Sequence, residues 1–157
     1  MTTTTTTYAP RLDVAEHAGA AIAAMVRLEE RIELEPRLRH LVKIHASQIN
    51  HCAFCIDMHW TDARADGESE LKLAQLAAWR ESPAFDDRER AALALTEAVT
   101  HVAETQVPDD VWAQAAAHFS EDELANLLVA IAAINFWNRT SVATRNTPAS
   151  FLQADAA

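Results

Sequence analysis

Residues 36–67 have the sequence PRLRHLVKIHASQINHCAFCIDMHWTDARADG, in which two α-helices can be recognised. Proline is well suited to the first turn of a helix, because the N–H group that it lacks would have no partner there. Apolar residues then recur every three or four positions as far as Ile49, which is the spacing of one helical face. The first helix is therefore predicted from Pro36 to Ile49.

The second helix of this stretch contains both cysteines of the chain. Asn50 can serve as its N-cap, and we expect the helix to run over residues 51–66. Gly67 should end it, because glycine adopts the left-handed backbone of a helix terminus without strain. Cys52 and Cys55 then fall in the first turns, where backbone N–H groups have no partner within the helix.

Similar signals continue on both sides of this stretch. We find no run of alternating β-branched residues that would predict a strand. We therefore expect an all-α, single-domain fold of about six or seven helices at residues 12–157, preceded by a disordered tail at residues 1–11. Capping residues and apolar periodicity predict the other helices at residues 12–31, 69–79, 86–102, from Pro108 onward, and 124–144.

Length and composition limit the possible functions. The chain has 157 residues, half of them hydrophobic, and a net charge of −10. This length suits one domain with its own core. The charge argues against nucleic acid, because phosphate binding relies on Lys and Arg, and it disfavours an anionic membrane surface.

The longest apolar stretch, residues 124–137, is interrupted by two asparagines. It is too short for the roughly 20 apolar residues of a membrane span. A helix that is apolar nearly all round is usually buried on every side, which here indicates that a second subunit covers part of it. We therefore expect a homo-oligomer that does not enter the membrane.

The cellular location follows from the N-terminus and the cysteines. Met1 is followed by six threonines, without the basic and apolar regions of a signal peptide. Two cysteines three positions apart, without a secretion signal, fit a reducing compartment, where such a pair is redox-active or metal-binding rather than structural. We expect a cytoplasmic protein.

The candidate chemistry lies in Cys52, Cys55 and His59. Their spacing of i, i+3 and i+7 places the three side chains on one face of a helix. A thiol at the start of a helix meets the positive end of the helix dipole, which favours the reactive thiolate. His59 lies one turn beyond Cys55 and can exchange a proton with its sulfur. We expect the pair to form a readily reduced disulfide.

Three other interpretations of the cysteine pair are less favoured. A zinc site formed by the pair and His59 lacks a second cysteine pair, or histidines at a zinc-binding spacing. Two buried structural cysteines would not need a histidine in register with them. A thioredoxin-like motif would follow a strand in a βαβ unit, and no strand is predicted. We therefore expect no metal and no cofactor.

Longer parts of the sequence resemble the alkylhydroperoxidase D-like family, which belongs to the carboxymuconolactone decarboxylase superfamily. The motif that carries the resemblance is Cys52-Ala53-Phe54-Cys55-Ile56-Asp57-Met58-His59. The likeness covers most of the chain after Arg37. It includes residues 41–44, 46–50, 62–64, 77–81, 87–93 and 135–139.

This resemblance implies an all-helical subunit that assembles into trimers or hexamers, and a peroxidase acting on alkyl hydroperoxides or hydrogen peroxide. By analogy, Cys55 attacks the peroxide and Cys52 resolves the resulting sulfenic acid as a disulfide. His59 then belongs to a proton relay. The resemblance also implies an external reductant, either a thiol or a lipoyl-bearing protein.

The sequence departs from the family at the base of this relay. The family usually has a glutamate twelve residues before the first cysteine, and this position is His40. Histidine also accepts a proton near neutral pH, so His40 either replaces the glutamate or is a solvated bystander. His51 stands where the family commonly has glycine. The missing glutamate favours an alternative function, a thiol–disulfide reductase or redox sensor without peroxidase activity.

Overall fold

The computed structural model describes residues 9–154 of the chain. Over this range it contains ten α-helices, a short 3₁₀ helix and no β-strand, so the all-α prediction is confirmed. No helix in this range is long and apolar enough to cross a membrane. The α-helices are α1 (Val14–His17), α2 (Gly19–Glu29), α3 (Pro36–Ile49), α4 (Ala53–Ala65), α5 (Glu70–Ala74), α6 (Asp87–Thr100), α7 (Val102–Thr105), α8 (Asp109–His118), α9 (Glu121–Thr144) and α10 (Ala149–Ala154), and the 3₁₀ helix is Leu76–Ala78.

The predicted count of six or seven helices is too low for the described residues. Six of the ten α-helices have ten residues or more, and the other four have only four to six. The helix predicted at residues 12–31 is divided at Ala18, and the helix predicted at residues 69–79 ends at Ala74, before the 3₁₀ helix. Helices of about one turn bury few side chains, so they leave no apolar periodicity in the sequence.

The longer helices agree with their capping signals. α3 has the predicted bounds, and Gly67 ends the turn after α4 with a φ of +84°. Both predicted capping boxes are present, at the starts of α6 and α9. In each, the N-cap side chain accepts the N–H of a glutamate whose own side chain accepts the N-cap N–H; the pairs are Asp86 with Glu89 and Ser120 with Glu123.

Part of the predicted N-terminal tail is described. Residues 1–8 of the predicted disordered segment, residues 1–11, lie outside the described residues. Arg11 donates its backbone N–H to the carbonyl of Thr144 at 2.8 Å. Its guanidinium also donates to the carbonyl of Ala143 at 3.2 Å. These bonds hold Arg11 against the C-terminal end of α9.

α3 lies at the centre of the fold and packs against α4, α6 and α9. Nine of its 14 residues are buried. Leu41 and Ile44 belong to one apolar cluster, whereas Leu38 and Val42 belong to another. Because α3 is enclosed in this way, polar side chains on it are also removed from water, and each of them needs a partner or a function.

α9 is partly covered by its own chain. Nine of its 24 residues are buried, and the large apolar residues exposed on it are Val129 and Val142. By contrast, no residue of α2 is buried, although this helix contains Met25, Val26 and Leu28. On α2, Val26 and Leu28 are exposed, so both helices present apolar side chains to the surface.

Glu97 on α6 joins three parts of the fold. Its carboxylate lies 2.8 Å from Nε2 of His45 on α3. It also accepts the indole N–H of Trp79 at 2.9 Å and pairs with the guanidinium of Arg80 at 2.6 Å. Burial opposes the charged form, but the hydrogen bonds from His45, Arg80 and Trp79 outweigh this effect and lower the pKa of Glu97 to about 2.

We expect Glu97→Gln to lower the free energy of unfolding at pH 7 by roughly 1–3 kcal/mol, because hydrogen bonds to a charged group are lost. The lowered pKa contributes stability above the ordinary carboxyl value of 4.5, and this stability is lost as pH falls toward 2. The difference between variant and wild type in urea unfolding should therefore shrink at pH 3.

Glu104→Gln is a suitable control, because the Glu104 side chain is 74% exposed in its pair with His101. We expect it to change stability by less than about 0.5 kcal/mol. A Glu97→Gln protein as stable as wild type at pH 7 would contradict the role given to this carboxylate.

Candidate active site

The turn between α3 and α4 positions the two cysteines. Asn50 ends α3 instead of capping α4, and its side-chain amide donates to Asn135 and Asn138 of α9 at 3.0 and 2.9 Å. His51 has a φ of +55°, in the left-handed region that favours glycine. A residue with this backbone conformation cannot be part of a right-handed helix. α4 therefore begins at Ala53, and the predicted start at residue 51 is wrong.

Cys52 is the N-cap of α4, and Cys55 lies in its first turn. The sulfur of Cys52 accepts the backbone N–H of Cys55 at 3.4 Å. The two residues are joined as a disulfide, with their Cα atoms 5.4 Å apart. Since Cys52 precedes the helix, its direction follows from the N-cap geometry and not from the i, i+3 spacing of a continuous helix.

Apolar side chains surround the disulfide. Both cysteines are only 1% exposed, and they pack against Ala46 and Ile134, with Trp137 at the edge of the cluster. Such surroundings exclude water and suit uncharged reactants.

A cavity of about 430 Å³ opens beside Cys52. Its lining is mainly apolar and comes from the α3–α4 turn, the C-terminal part of α9 and the segment before α10. The residues that line it include Cys52, Phe54, Val142, Pro148 and Phe151. Neither Cys55 nor His59 lines this cavity, so Cys52 is the cysteine that the cavity reaches.

His59 lies on a second cavity, of about 310 Å³, together with His40, Lys43 and Asp62. The rings of His40 and His59 are 6.2 Å apart between centroids. Neither ring nitrogen of His59 has a hydrogen-bond partner among the described residues. The structure therefore brings His59 next to His40, and in the disulfide form it shows no hydrogen bond between His59 and a cysteine in the described part of the chain.

The environment keeps His59 uncharged. Burial, followed by the nearby groups Lys43, His40 and Arg39, lowers the pKa of His59 to about 3. Lys43 is itself buried and pairs with Glu29. Burial lowers the pKa of Lys43, and the hydrogen bond with Glu29 partly opposes this shift.

His40 is buried on α3 and has a carboxylate partner. Its Nε2 lies 2.8 Å from Oδ2 of Asp66, the residue that ends α4. Its Nδ1 is buried without a partner among the described residues. His40 is only 7% exposed, so the prediction that it could be a solvated residue is wrong. Its part in the relay stays a prediction.

Sequence reasoning missed the acidic residues around the two histidines. Asp62 and Asp66 lie three and seven positions after His59, so both can share its face of α4. This spacing was visible in the sequence. The sequence does not show that His40 lies beside these residues, because this depends on how α3 packs against α4.

Known proteins resemble this chain in sequence and in fold. Residues 13–98 match the sequence profile of the carboxymuconolactone decarboxylase family. The uncharacterized protein YdfG of Bacillus subtilis is 37% identical over 138 residues, which cover 88% of this chain and 94% of YdfG.

Solved structures share the fold. A protein of unknown function from Agrobacterium tumefaciens, for which the role of antioxidant defence protein AhpD has been suggested, superposes with a TM-score of 0.87 at 43% identity, covering 89% of this chain and 98% of that one. The debrominase Bmp8 has a TM-score of 0.77 at 18% identity, covering 90% of this chain and 77% of Bmp8. The likeness to Bmp8 concerns the fold alone.

Proposed function

The chain belongs to the carboxymuconolactone decarboxylase family, and from this premise we propose that it is a thiol-dependent peroxidase acting on alkyl hydroperoxides or hydrogen peroxide. The observation that carries this proposal is the Cys52–Cys55 disulfide, with Cys52 lining an apolar cavity. A dithiol that can close into a disulfide supplies the two electrons that reduce a peroxide. The apolar cavity suits the alkyl part of a hydroperoxide.

The proposed reaction has three steps. In the order that the family resemblance implies, the thiolate of Cys55 attacks the peroxide, the O–O bond breaks, and the products are a sulfenic acid and, after protonation, an alcohol or water. The thiol of Cys52 then displaces water from the sulfenic acid and forms the disulfide. An external dithiol or a lipoyl-bearing protein reduces the disulfide and is itself oxidised.

The relay assigned to His59 and His40 supplies and removes the protons. An uncharged imidazole donates at one nitrogen and accepts at the other, so His59 can transfer a proton without holding a charge. His40, whose Nε2 is 2.8 Å from the carboxylate of Asp66, takes the place of the family's glutamate. Asp66 orients the ring of His40, whose Nδ1 has no hydrogen-bond partner among the described residues.

The suggested antioxidant role of the A. tumefaciens protein supports this proposal. The test is turnover of cumene hydroperoxide by the protein with a dithiol reductant. We expect steady consumption, and mass spectrometry after peroxide treatment without reductant should show the loss of two hydrogens and no adduct. Thiols that remain titratable after peroxide would refute the proposal.

A redox sensor or thiol–disulfide reductase is the second candidate. Two observations favour it, the histidine at the glutamate position and the near-complete burial of both cysteines. A sensor would form the same disulfide but would not turn over peroxide many times. Multiple turnovers per chain therefore separate the two functions.

We also propose that the protein works in the cytoplasm as a homo-oligomer, either a trimer or a hexamer. The exposed apolar residues of α2 support assembly, since Val26 is 46% and Leu28 is 38% exposed. Light scattering should give a mass of three or six chains at micromolar concentration. Val26→Lys should lower the assembled fraction, because a charge at a desolvated interface is costly. A stable wild-type monomer would contradict this proposal.

A further inference from the structure

The second cavity brings three side chains together that can bind a metal ion. His40 comes from α3, and His59 and Asp62 come from successive turns of α4. One ligand atom of each residue, an imidazole nitrogen or a carboxylate oxygen, lies within 4.8 Å of the other two. Since two packed helices supply the ligands, the cluster depends on the tertiary fold and not on a local turn.

Three ring nitrogens of these histidines form no hydrogen bond with the described residues, although Nδ1 of His59 lies 3.9 Å from Oδ2 of Asp62. The side chains of His40 and His59 are each only 9% exposed. Nδ1 of His40 and both nitrogens of His59 are buried without a hydrogen-bond partner among the described residues. Burying such groups unpaired costs stability, so each is a reason to look for a ligand that the chain itself does not supply.

Asp66 contacts the ring nitrogen of His40 that is not proposed to bind the ion. Its carboxylate lies 2.8 Å from Nε2 of His40. An ionised carboxylate can only accept, so Nε2 is the donor of this bond, and in the neutral imidazole the lone pair is then on Nδ1. Histidine ligands of metals commonly have such a carboxylate on the other ring nitrogen, which fixes the tautomer and raises the basicity of the ligating nitrogen.

The cavity is lined by charges of both signs. Asp62, Glu29 and Glu30 line it, against Arg39 and Lys43. The ammonium of Lys43 is already paired with Glu29. The carboxylate of Asp66 adds a further negative charge at the back of His40.

We propose that His40, His59 and Asp62 form a binding site for one divalent transition-metal ion, of which zinc is the best match. Two histidines and one carboxylate with an open fourth position are a common ligand set for Zn²⁺. With metal–ligand distances of about 2.0–2.2 Å, ligand atoms in a tetrahedral site lie roughly 3.4 Å apart. Rotation of the exposed Asp62 side chain can bring its carboxylate closer to the imidazole nitrogens than in this structure. The two cysteines are not part of the site.

The test is titration of the purified protein with Zn²⁺ by calorimetry, and with Co²⁺ by its visible absorption, which reports the coordination geometry. The protein is used in its disulfide form and as Cys52→Ser/Cys55→Ser, so that thiols cannot bind the ion. We expect one ion per chain in both forms, with a tetrahedral or five-coordinate Co²⁺ spectrum. Neither readout requires peroxidase activity, so failure of the peroxidase proposal would leave this result unaffected.

Substitutions then identify the ligands. We expect His59→Gln and Asp62→Asn to weaken the affinity at least roughly 10-fold, and Asp66→Asn to weaken it by about 10- to 100-fold through His40. Asp62 is the safer change for folding, since its side chain is 54% exposed. His101→Gln is the matched control. His101 and Glu104 have the same i, i+3 spacing as His59 and Asp62, but both lie on the surface.

Absence of saturable Zn²⁺ binding in the wild type would overturn the proposal. So would unchanged affinity in both His59→Gln and Asp62→Asn, or an equal loss in His101→Gln. A consequence that rests on the proposed function is that Zn²⁺ should inhibit peroxide turnover, because the ion would occupy the nitrogens assigned to the proton relay. A chelator should restore the activity.

Discussion

Cys55→Ser is expected to lower the turnover of cumene hydroperoxide by roughly 10³-fold or more, since removing the group that forms the covalent intermediate removes the reaction path. Cys52→Ser is the matched variant, because serine replaces the other sulfur of the same pair. It should also stop turnover, but only after each chain has consumed one peroxide. Trapping with a dimedone-type reagent should then detect a sulfenic acid on Cys55.

The same two variants test which cysteine attacks. The family resemblance assigns attack to Cys55, whereas the apolar cavity reaches Cys52, whose sulfur also accepts the N–H of Cys55 at 3.4 Å. A sulfenic acid trapped on Cys52 in the Cys55→Ser protein, and none on Cys55 in Cys52→Ser, would reverse the assignment. Undiminished turnover in both variants would remove the peroxidase mechanism altogether.

The parts of the fold that could be predicted depend on local signals. α3 was bounded by its proline and its apolar spacing, and the capping boxes of α6 and α9 lie within four residues. The start of α4 was misplaced because it depends on contacts distant in sequence. Asn50 is held by Asn135 and Asn138, 85 and 88 residues away, and this leaves Cys52 to cap the helix.

In the candidate site, too, local features could be predicted and contacts between distant parts of the sequence could not. The cysteine pair and His59 were recognised from a single motif, because all three lie within eight consecutive residues. The partners of His40 could not be predicted, since they depend on the face that α3 presents to α4. Asp66 and His40 are 26 residues apart in sequence, yet their side chains lie 2.8 Å from each other.

His40→Ala is expected to slow peroxide reduction by roughly 10²-fold, the usual effect of losing a group that accepts or donates a proton. His40→Glu should recover a large part of the rate, because it restores the carboxylate that the family has at this position. Rates are measured with both thiols reduced and with a chelator present, so that bound metal does not contribute. Burst measurements of the first turnover would show whether the loss falls on the reaction with peroxide.

His45→Ala provides the control for this substitution. Both histidines are buried on α3, and each has a carboxylate 2.8 Å from Nε2, Asp66 for His40 and Glu97 for His45. His45 lies outside the cavity that holds His59, so its loss should lower stability without slowing the folded enzyme. Equal rates for His40→Ala and wild type would show that His40 has no part in the relay. The reaction would then rest on Cys52, Cys55 and His59, and a sensor or reductase would become the better description.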